Sequence, residues 1–162
     1  MLDAPQAAEQ VLLVALTEAT GFFNVAEIKI VGEMLGAYFE NPRSDEYSWL
    51  VYRARADAPP RGYICYGPAS LTFGTYDLYW IAVDRQYQAQ KIGSALLQGM
   101  EADLTRRGAR QIYIETSDKP QYAPTRAFYE RRGYARAAHF RDYYDVGDGK
   151  LIYFKALGTA EK

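Results

Sequence analysis

The chain predicts a mixed α/β (α+β) fold, a mostly antiparallel central sheet flanked by helices. Three observations lead there. Two helical segments come first, with apolar residues at helical spacing. Three strand-like runs then follow without a helix between them, which makes them antiparallel neighbours. Last, residues 76–116 form a strand–helix–strand unit, and such a unit closes as a parallel, right-handed crossover. The 162 residues, 49% hydrophobic and 24% charged, fit one domain over 1–162 with a proper core.

Taken in order, Ala7 to Thr20 carries helix formers around Val11, Leu12, Val14 and Leu16. Its periodicity leaves helix and partial edge strand both open. Asn24 followed by Glu27 reads as a capping box, and Ile28, Val31, Met34, Leu35 and Phe39 keep helical spacing after it. Asn41-Pro42-Arg43-Ser44-Asp45 ends that helix in a loop. Tyr47 to Ala56 and Gly62 to Phe73 read as paired strands joined through 57–61, with Tyr76 to Val83 as a third. A helix from about Lys91 places Ile92, Ala95, Leu96, Met100 and Leu104 on one face and stops at Gly108. Gln111 to Thr116 is a short strand, and a helix over about Pro124 to Arg132 follows, stopped by Gly133. Two closing strands, Tyr134 to Asp142 and Lys150 to Leu157, flank a glycine-bearing turn at 144–149.

Composition excludes several classes. A net charge of −1 and a pI near 5.9 give no basic field for nucleic acid. No apolar run approaches the ~20 residues of a membrane span, and the first residues lack the basic stretch of a secretory leader. The lone Cys65 sits in an apolar run and reads as a buried thiol of a reducing, cytoplasmic setting. Fifteen tyrosines are mostly half-buried sheet residues. The single histidine, His139, reads as a structural strand residue, and no cluster has metal-ligand spacing, so no metal is expected.

The most informative stretch is Trp80 to Leu97, an apolar strand that enters a short polar loop opening directly into a helix. A loop so placed aims backbone N–H groups at one point beside the positive end of a helix dipole, which is an anion site. A dinucleotide fingerprint needs three glycines where this loop has only Gly93, and the Gly-Lys-Ser/Thr ending of a P-loop is absent. With a single histidine and no nucleophile elbow, a serine hydrolase is excluded as well.

What remains is Gln88-x-x-x-x-Gly93, joined after the next strand by Phe128-Tyr129-Glu130-Arg131-Arg132-Gly133-Tyr134. Together these resemble the GNAT superfamily of N-acetyltransferases, whose acyl-CoA loop reads Gln/Arg-x-x-Gly-x-Gly/Ala and whose later helix reads Phe/Leu-Tyr-Glu-x-x-Gly-Phe/Tyr. The resemblance covers most of the chain. Three features depart from the family pattern. Ala89 and Lys91 stand where glycines are usual, alanine being acceptable at negative φ. Tyr122 stands where many relatives carry an asparagine that bonds the pantetheine arm. The first family strand is short or missing.

The resemblance implies that acetyl-CoA lies where the strands Tyr76–Val83 and Gln111–Thr116 splay apart. Backbone groups of Ile81, Ala82 and Val83 would pair with the pantetheine, and an N–H near Val83 would steady the oxyanion. The N–H groups of Gln88, Ala89, Gln90, Lys91, Ile92, Gly93 and Ser94 would hold the pyrophosphate. Arg126 either reaches the nucleotide end or pairs with Glu130. Tyr129 takes the general-acid position, and Asp77 or Glu115 takes the amine's proton. Strand alternation puts Asp77, Tyr79, Ile81 and Val83 on one face. Phe22, Phe23, Tyr143 and Tyr144 would border a small-molecule amine acceptor, and a homodimer is compatible with the family. Three alternatives stay open: a non-catalytic acyl-CoA sensor, a protein-lysine or N-terminal acetyltransferase, and an interaction module.

Overall fold

The computed structural model describes residues 1–158. Its elements are β1 (Leu2–Asp3), α1 (Gln10–Thr20), α2 (Val25–Glu40), β2 (Ser48–Tyr52), β3 (Gly62–Pro68), β4 (Thr75–Val83), α3 (Ile92–Arg106), β5 (Gln111–Ser117), α4 (Ala123–Glu130), β6 (Ala135–Asp145) and β7 (Asp148–Ala156). The strands form one seven-stranded sheet in the order β1-β2-β3-β4-β5-β7-β6. Only β4 and β5 run parallel; every other neighbouring pair is antiparallel. The crossover through α3 is what makes that one pair parallel.

The ambiguous segment after Ala7 is helical throughout, a 3-10 turn over Ala7–Glu9 running into α1. The edge-strand role falls instead to the two residues of β1, which pair with Tyr52 and Val51. Gly21 ends α1 at φ 68, a left-handed position that favours glycine. α2 then starts on the expected capping box. The Asn24 side chain accepts from the Glu27 N–H at 2.9 Å, and the Glu27 carboxylate accepts from the Asn24 N–H at 2.7 Å. The strands expected over 47–56 and 62–73 are shorter, because the segments beyond Tyr52 and Pro68 turn away into loops.

Helices cover both faces. α1 and α2 pack with Trp49, Val51, Tyr63, Cys65 and Ala82, and Cys65 is fully buried there. α3 and α4 pack on the other face, where Leu96, Met100 and Tyr129 meet Ile64, Tyr66, Leu78, Ile112 and Ile114. Two faces of alternating residues thus give two cores, each shielding one side of the sheet.

The regular alternation breaks once in a way that matters. β3 and β4 pair Cys65 with Trp80 but Tyr66 with Leu78, so Tyr79 is an extra residue, a β-bulge. Tyr79 and Trp80 both pack toward α1 and α2, whereas Leu78, Ile81 and Val83 pack toward α3. The expectation that Asp77, Tyr79, Ile81 and Val83 share a face is therefore wrong. One inserted residue moves everything after it to the opposite side.

Gly67 stands opposite Asp77 in the β3–β4 pairing. A Cβ there would lie 2.1 Å from the Glu46 carbonyl oxygen and 3.0 Å from the Tyr79 ring. The bare backbone at 67 lets both close in beside the bulge. Gly67→Ala is expected to destabilise the protein by about 2 kcal/mol through overpacking, read as a lower denaturant midpoint.

Candidate active site

β4 and β5 pair only from Thr75↔Gln111 to Leu78↔Ile114, although β4 continues to Val83 and β5 to Ser117. Beyond Leu78 the strands part. The bulge at Tyr79 accompanies the parting, as bulges twist and end local pairing. A cleft of about 1560 Å³ opens there, lined by both strands, by the start of α3 and by α4. The α1–α2 corner lies across it. The Arg85 Nε donates to the Thr20 carbonyl at 2.9 Å on the β4 side. On the β5 side, the Tyr122 hydroxyl donates to the Phe22 carbonyl at 3.2 Å, with the two rings 6.2 Å apart. Tyr122, at the position of the family asparagine, therefore bridges to the corner.

One end of the cleft is built for an anion. After β4 the Asp84 carboxylate accepts the Gln86 N–H and folds a 3-10 turn over Arg85–Tyr87. The chain then takes left-handed conformations at Ala89 (φ 65) and Lys91 (φ 61), and Lys91 is the N-cap of α3. The negative φ at which alanine would be readily accepted is not what the loop takes; the positive φ at Ala89 is the cost of turning the loop tightly into the helix. Among the described residues, the N–H groups of Ala89, Gln90, Lys91, Ile92, Gly93 and Ser94 have no backbone acceptor. They form a free donor cluster beside the positive end of the α3 dipole.

A cation joins them. The Arg132 guanidinium donates to the Ser94 hydroxyl and to the Phe128 carbonyl, the latter at 3.0 Å, and lies 3.7 Å over the Phe128 ring. Desolvation first, then the neighbouring Arg131, lower its pKa against a smaller opposing pull from Glu101. Arg132, Arg131 and Lys91 all line the cleft.

The other end carries acid, phenol and aromatic groups. Tyr129 is buried at 3% exposure among Phe128, Tyr134 and Tyr153, yet it lines the cleft. Burial pushes its hydroxyl well above the ordinary phenol value. Asp77 also lines the cleft; desolvation first, then the nearby Glu115 charge, raise its pKa. Glu115 is held differently, its two oxygens accepting from Lys150 Nζ at 3.0 and 3.1 Å. The rings of Phe22, Phe23, Tyr47, Tyr79, Tyr113 and Tyr144 complete this end.

Of the residues singled out from sequence, Tyr129, Asp77, Glu115, Ile81, Ala82, Val83, Gln88, Ala89, Lys91, Ile92, Gly93, Ser94, Phe22, Phe23 and Tyr144 meet at this cleft. Three do not line it. Arg126 neither reaches the anion end nor pairs with Glu130: its guanidinium donates to the Ser117 and Lys119 carbonyls, both at 2.9 Å, and ties down the loop after β5. Tyr143 faces Lys150, whose ammonium lies 3.9 Å from its ring centre. Gln90 is exposed on the loop. His139 is structural, bonded at 2.7 Å to Asp118, whose other oxygen accepts the Gly149 N–H. Sequence reading missed Arg132 and Lys150. The arginine pair just past Tyr129-Glu130, at the end of a short helix, was the signal for the first.

A model described as the acetyltransferase (GNAT) family matches residues 17–134. The ribosomal protein bS18-alanine N-acetyltransferase of Escherichia coli strain K12 is 37% identical over 73 residues, 45% of this chain and 48% of that protein. The chain thus matches about half the length of that curated relative. A structure of a GNAT-family protein from Desulfovibrio desulfuricans superposes with TM-score 0.92 at 34% identity, covering 98% of this chain and 99% of that one. An aminoglycoside 6'-N-acetyltransferase solved with coenzyme A superposes at TM-score 0.76 and 16% identity, over 100% of this chain and 99% of that one. That last likeness is one of fold.

The left-handed loop residues are open to a direct check. A non-glycine residue at positive φ carries roughly 1–2 kcal/mol of backbone strain, partly offset by the larger unfolded-state entropy of glycine. Ala89→Gly and Lys91→Gly are each expected to keep or raise the melting temperature, by no more than about 1 kcal/mol of stability. A clear drop in either would contradict the left-handed geometry.

Proposed function

The chain belongs to the GNAT acetyltransferase family, and from that premise we propose that it is an N-acetyltransferase that uses acetyl-CoA on a small cationic primary amine. The observation that carries this reading is one cleft with a donor-rich, cationic end and a carboxylate- and phenol-bearing end, meeting where β4 leaves β5. The residues present suit acetyl-CoA. Six unpaired N–H groups, Lys91 and Arg132 suit its pyrophosphate. The stretch from Tyr79 to Val83, without a strand on its β5 side, suits an extended pantetheine arm.

As substrate, acetyl-CoA supplies an activated thioester carbonyl. The amine nitrogen attacks that carbon, the C–N bond forms and the C–S bond breaks. Tyr129, kept protonated by burial, donates its hydroxyl proton to the departing sulfur, and the second proton lost from the nitrogen as the amide forms restores the phenol. The amine enters as an ammonium and gives its proton to a cleft carboxylate, Asp77 or Glu115. A backbone N–H near Val83 steadies the oxyanion. Aromatic rings around two carboxylates suit a cationic acceptor. The Phe22–Tyr122 bridge narrows the opening and favours a small one. A peptide N-terminus is the second reading, favoured by the alanine acetylation named for the E. coli relative.

Titration calorimetry tests the cofactor part. Acetyl-CoA is expected to bind, more weakly as salt rises, and Arg132→Met to weaken it about tenfold, the loss of one charge-assisted contact. No binding by the wild type would overturn the reading. Thiol release over a panel of small amines and alanine-ended peptides then separates the two acceptors, and binding without turnover on any amine would mean a sensor. Tyr129→Phe is expected to lower kcat about 100-fold with little change in KM. On the acid side, kcat/KM should rise with pH as the proton-accepting carboxylate ionises, around a midpoint above the ordinary carboxylate value.

A further inference from the structure

Three adjacent strands carry a row of charge across the floor of the cleft. Asp77 on β4 pairs in register with Tyr113 on β5, so Glu115 is its diagonal neighbour on the same face. Glu115 stands opposite Ile152 on β7, and Lys150 is two residues away on that same face. The order across the sheet is carboxylate, carboxylate, ammonium. Only the first two line the cleft; Lys150 is 8% exposed and lies behind Glu115.

Lys150 is held firmly. Its Nζ donates to both Glu115 oxygens at 3.0 and 3.1 Å, and the Tyr143 ring covers it at 3.9 Å. Among the described residues, Asp77 has no cation within ion-pair distance and accepts no side-chain hydrogen bond. The other titratable groups around Asp77 are the phenols of Tyr79 on its own strand, Tyr113 on β5, Tyr144 on β6 and Tyr47 ahead of β2. Glu46, bonded to the Tyr47 hydroxyl, adds a further negative charge near Tyr79. None of these is a cation.

We propose that Lys150 is a positioning residue that ties up Glu115 and so leaves Asp77 as the carboxylate that takes the amine's proton. This rests on the acetyltransferase reading given above. Lys150 touches neither acceptor nor acetyl-CoA and acts through Glu115. Both Glu115 oxygens already accept from the Lys150 ammonium, whereas the Asp77 oxygens carry no side-chain partner among the described residues and are open to the arriving ammonium. With the Glu115 charge offset, Asp77 also keeps a lower affinity for protons than two bare carboxylates would allow. The transfer balances simply: one proton leaves the ammonium nitrogen for an Asp77 oxygen and is released to water after acetylation.

The pH profile of kcat/KM tests this with the amine that the panel identifies. Lys150→Met leaves Glu115 as a bare charge beside Asp77, and the acid limb should move up by about one pH unit. Glu115→Gln leaves an uncompensated ammonium and should move the limb down. Lys150→Arg should restore the wild-type profile, and Asp77→Asn should remove the limb and at least 100-fold of kcat. A purely structural lysine would lower activity with the limb unmoved, and that result overturns the inference. So would loss of turnover in Glu115→Gln with Asp77→Asn still active. Circular dichroism and the melting temperature check that each variant is folded. Absence of turnover by the wild type on every amine is a failure of the acetyltransferase reading itself, and is recognisable as such before any variant is made.

Discussion

The parting of β4 from β5 after Leu78 is the constraint on which the rest of this molecule depends. A continuous parallel pair would satisfy every backbone group along both strands and leave no room between them. The bulge at Tyr79 prevents this. It inserts one residue into β4, ends the regular pairing and redirects every later side chain of the strand. The freed backbone of residues 79–83, the floor of the cleft and the direction in which the chain enters α3 all follow from that one insertion.

The gap does not collapse because other elements hold it at its size. Arg85 and Tyr122 fix the α1–α2 corner to the two sides of the opening. Arg126 fixes the loop after β5 through two carbonyls. His139 and Gly149 share the carboxylate of Asp118, and Ser117 and Lys119 share that of Asp148. These polar contacts rim a space whose walls are aromatic. Hydrophobic burial in the two cores drives the fold, while the rim contacts set the shape of the opening.

Charge is sorted along the cleft. Arg132 and Lys91 stand at the N-terminus of α3 and, among the described residues, form no ion pair, so they add to the helix dipole rather than oppose it. At the far end the carboxylates dominate, and two cations near them are turned onto carboxylates, Lys150 onto Glu115 and Lys119 onto Asp148. Such separation would be wasteful in a structural surface, where opposite charges intermingle. It suits a molecule that is anionic at one end meeting one that is cationic.

Much of this was legible in the residues alone. The capping box at Asn24 and Glu27, the glycine stops at 108 and 133, and the apolar faces of the helices are local signals, governed by backbone dihedrals and short-range hydrogen bonds. The Gln88–Gly93 loop and Tyr129 could be recognised for the same reason, since a helix N-terminus and a helical tyrosine are set by neighbouring sequence. What sequence could not show was long-range. The bulge at Tyr79 depends on the registers of two strands, and it reversed the face expected for Ile81 and Val83 relative to Asp77. The sequence leaves Arg126 between the nucleotide end and a pair with Glu130, because nothing local reveals the carbonyls it reaches. Lys150 lies 35 residues from Glu115, beyond any spacing rule. The sequence by itself determined the elements, their caps and the anion loop, because those are decided within a few residues. Only the tertiary structure decided which charges meet across β4, β5 and β7, because strand register places side chains by contacts far apart in the chain.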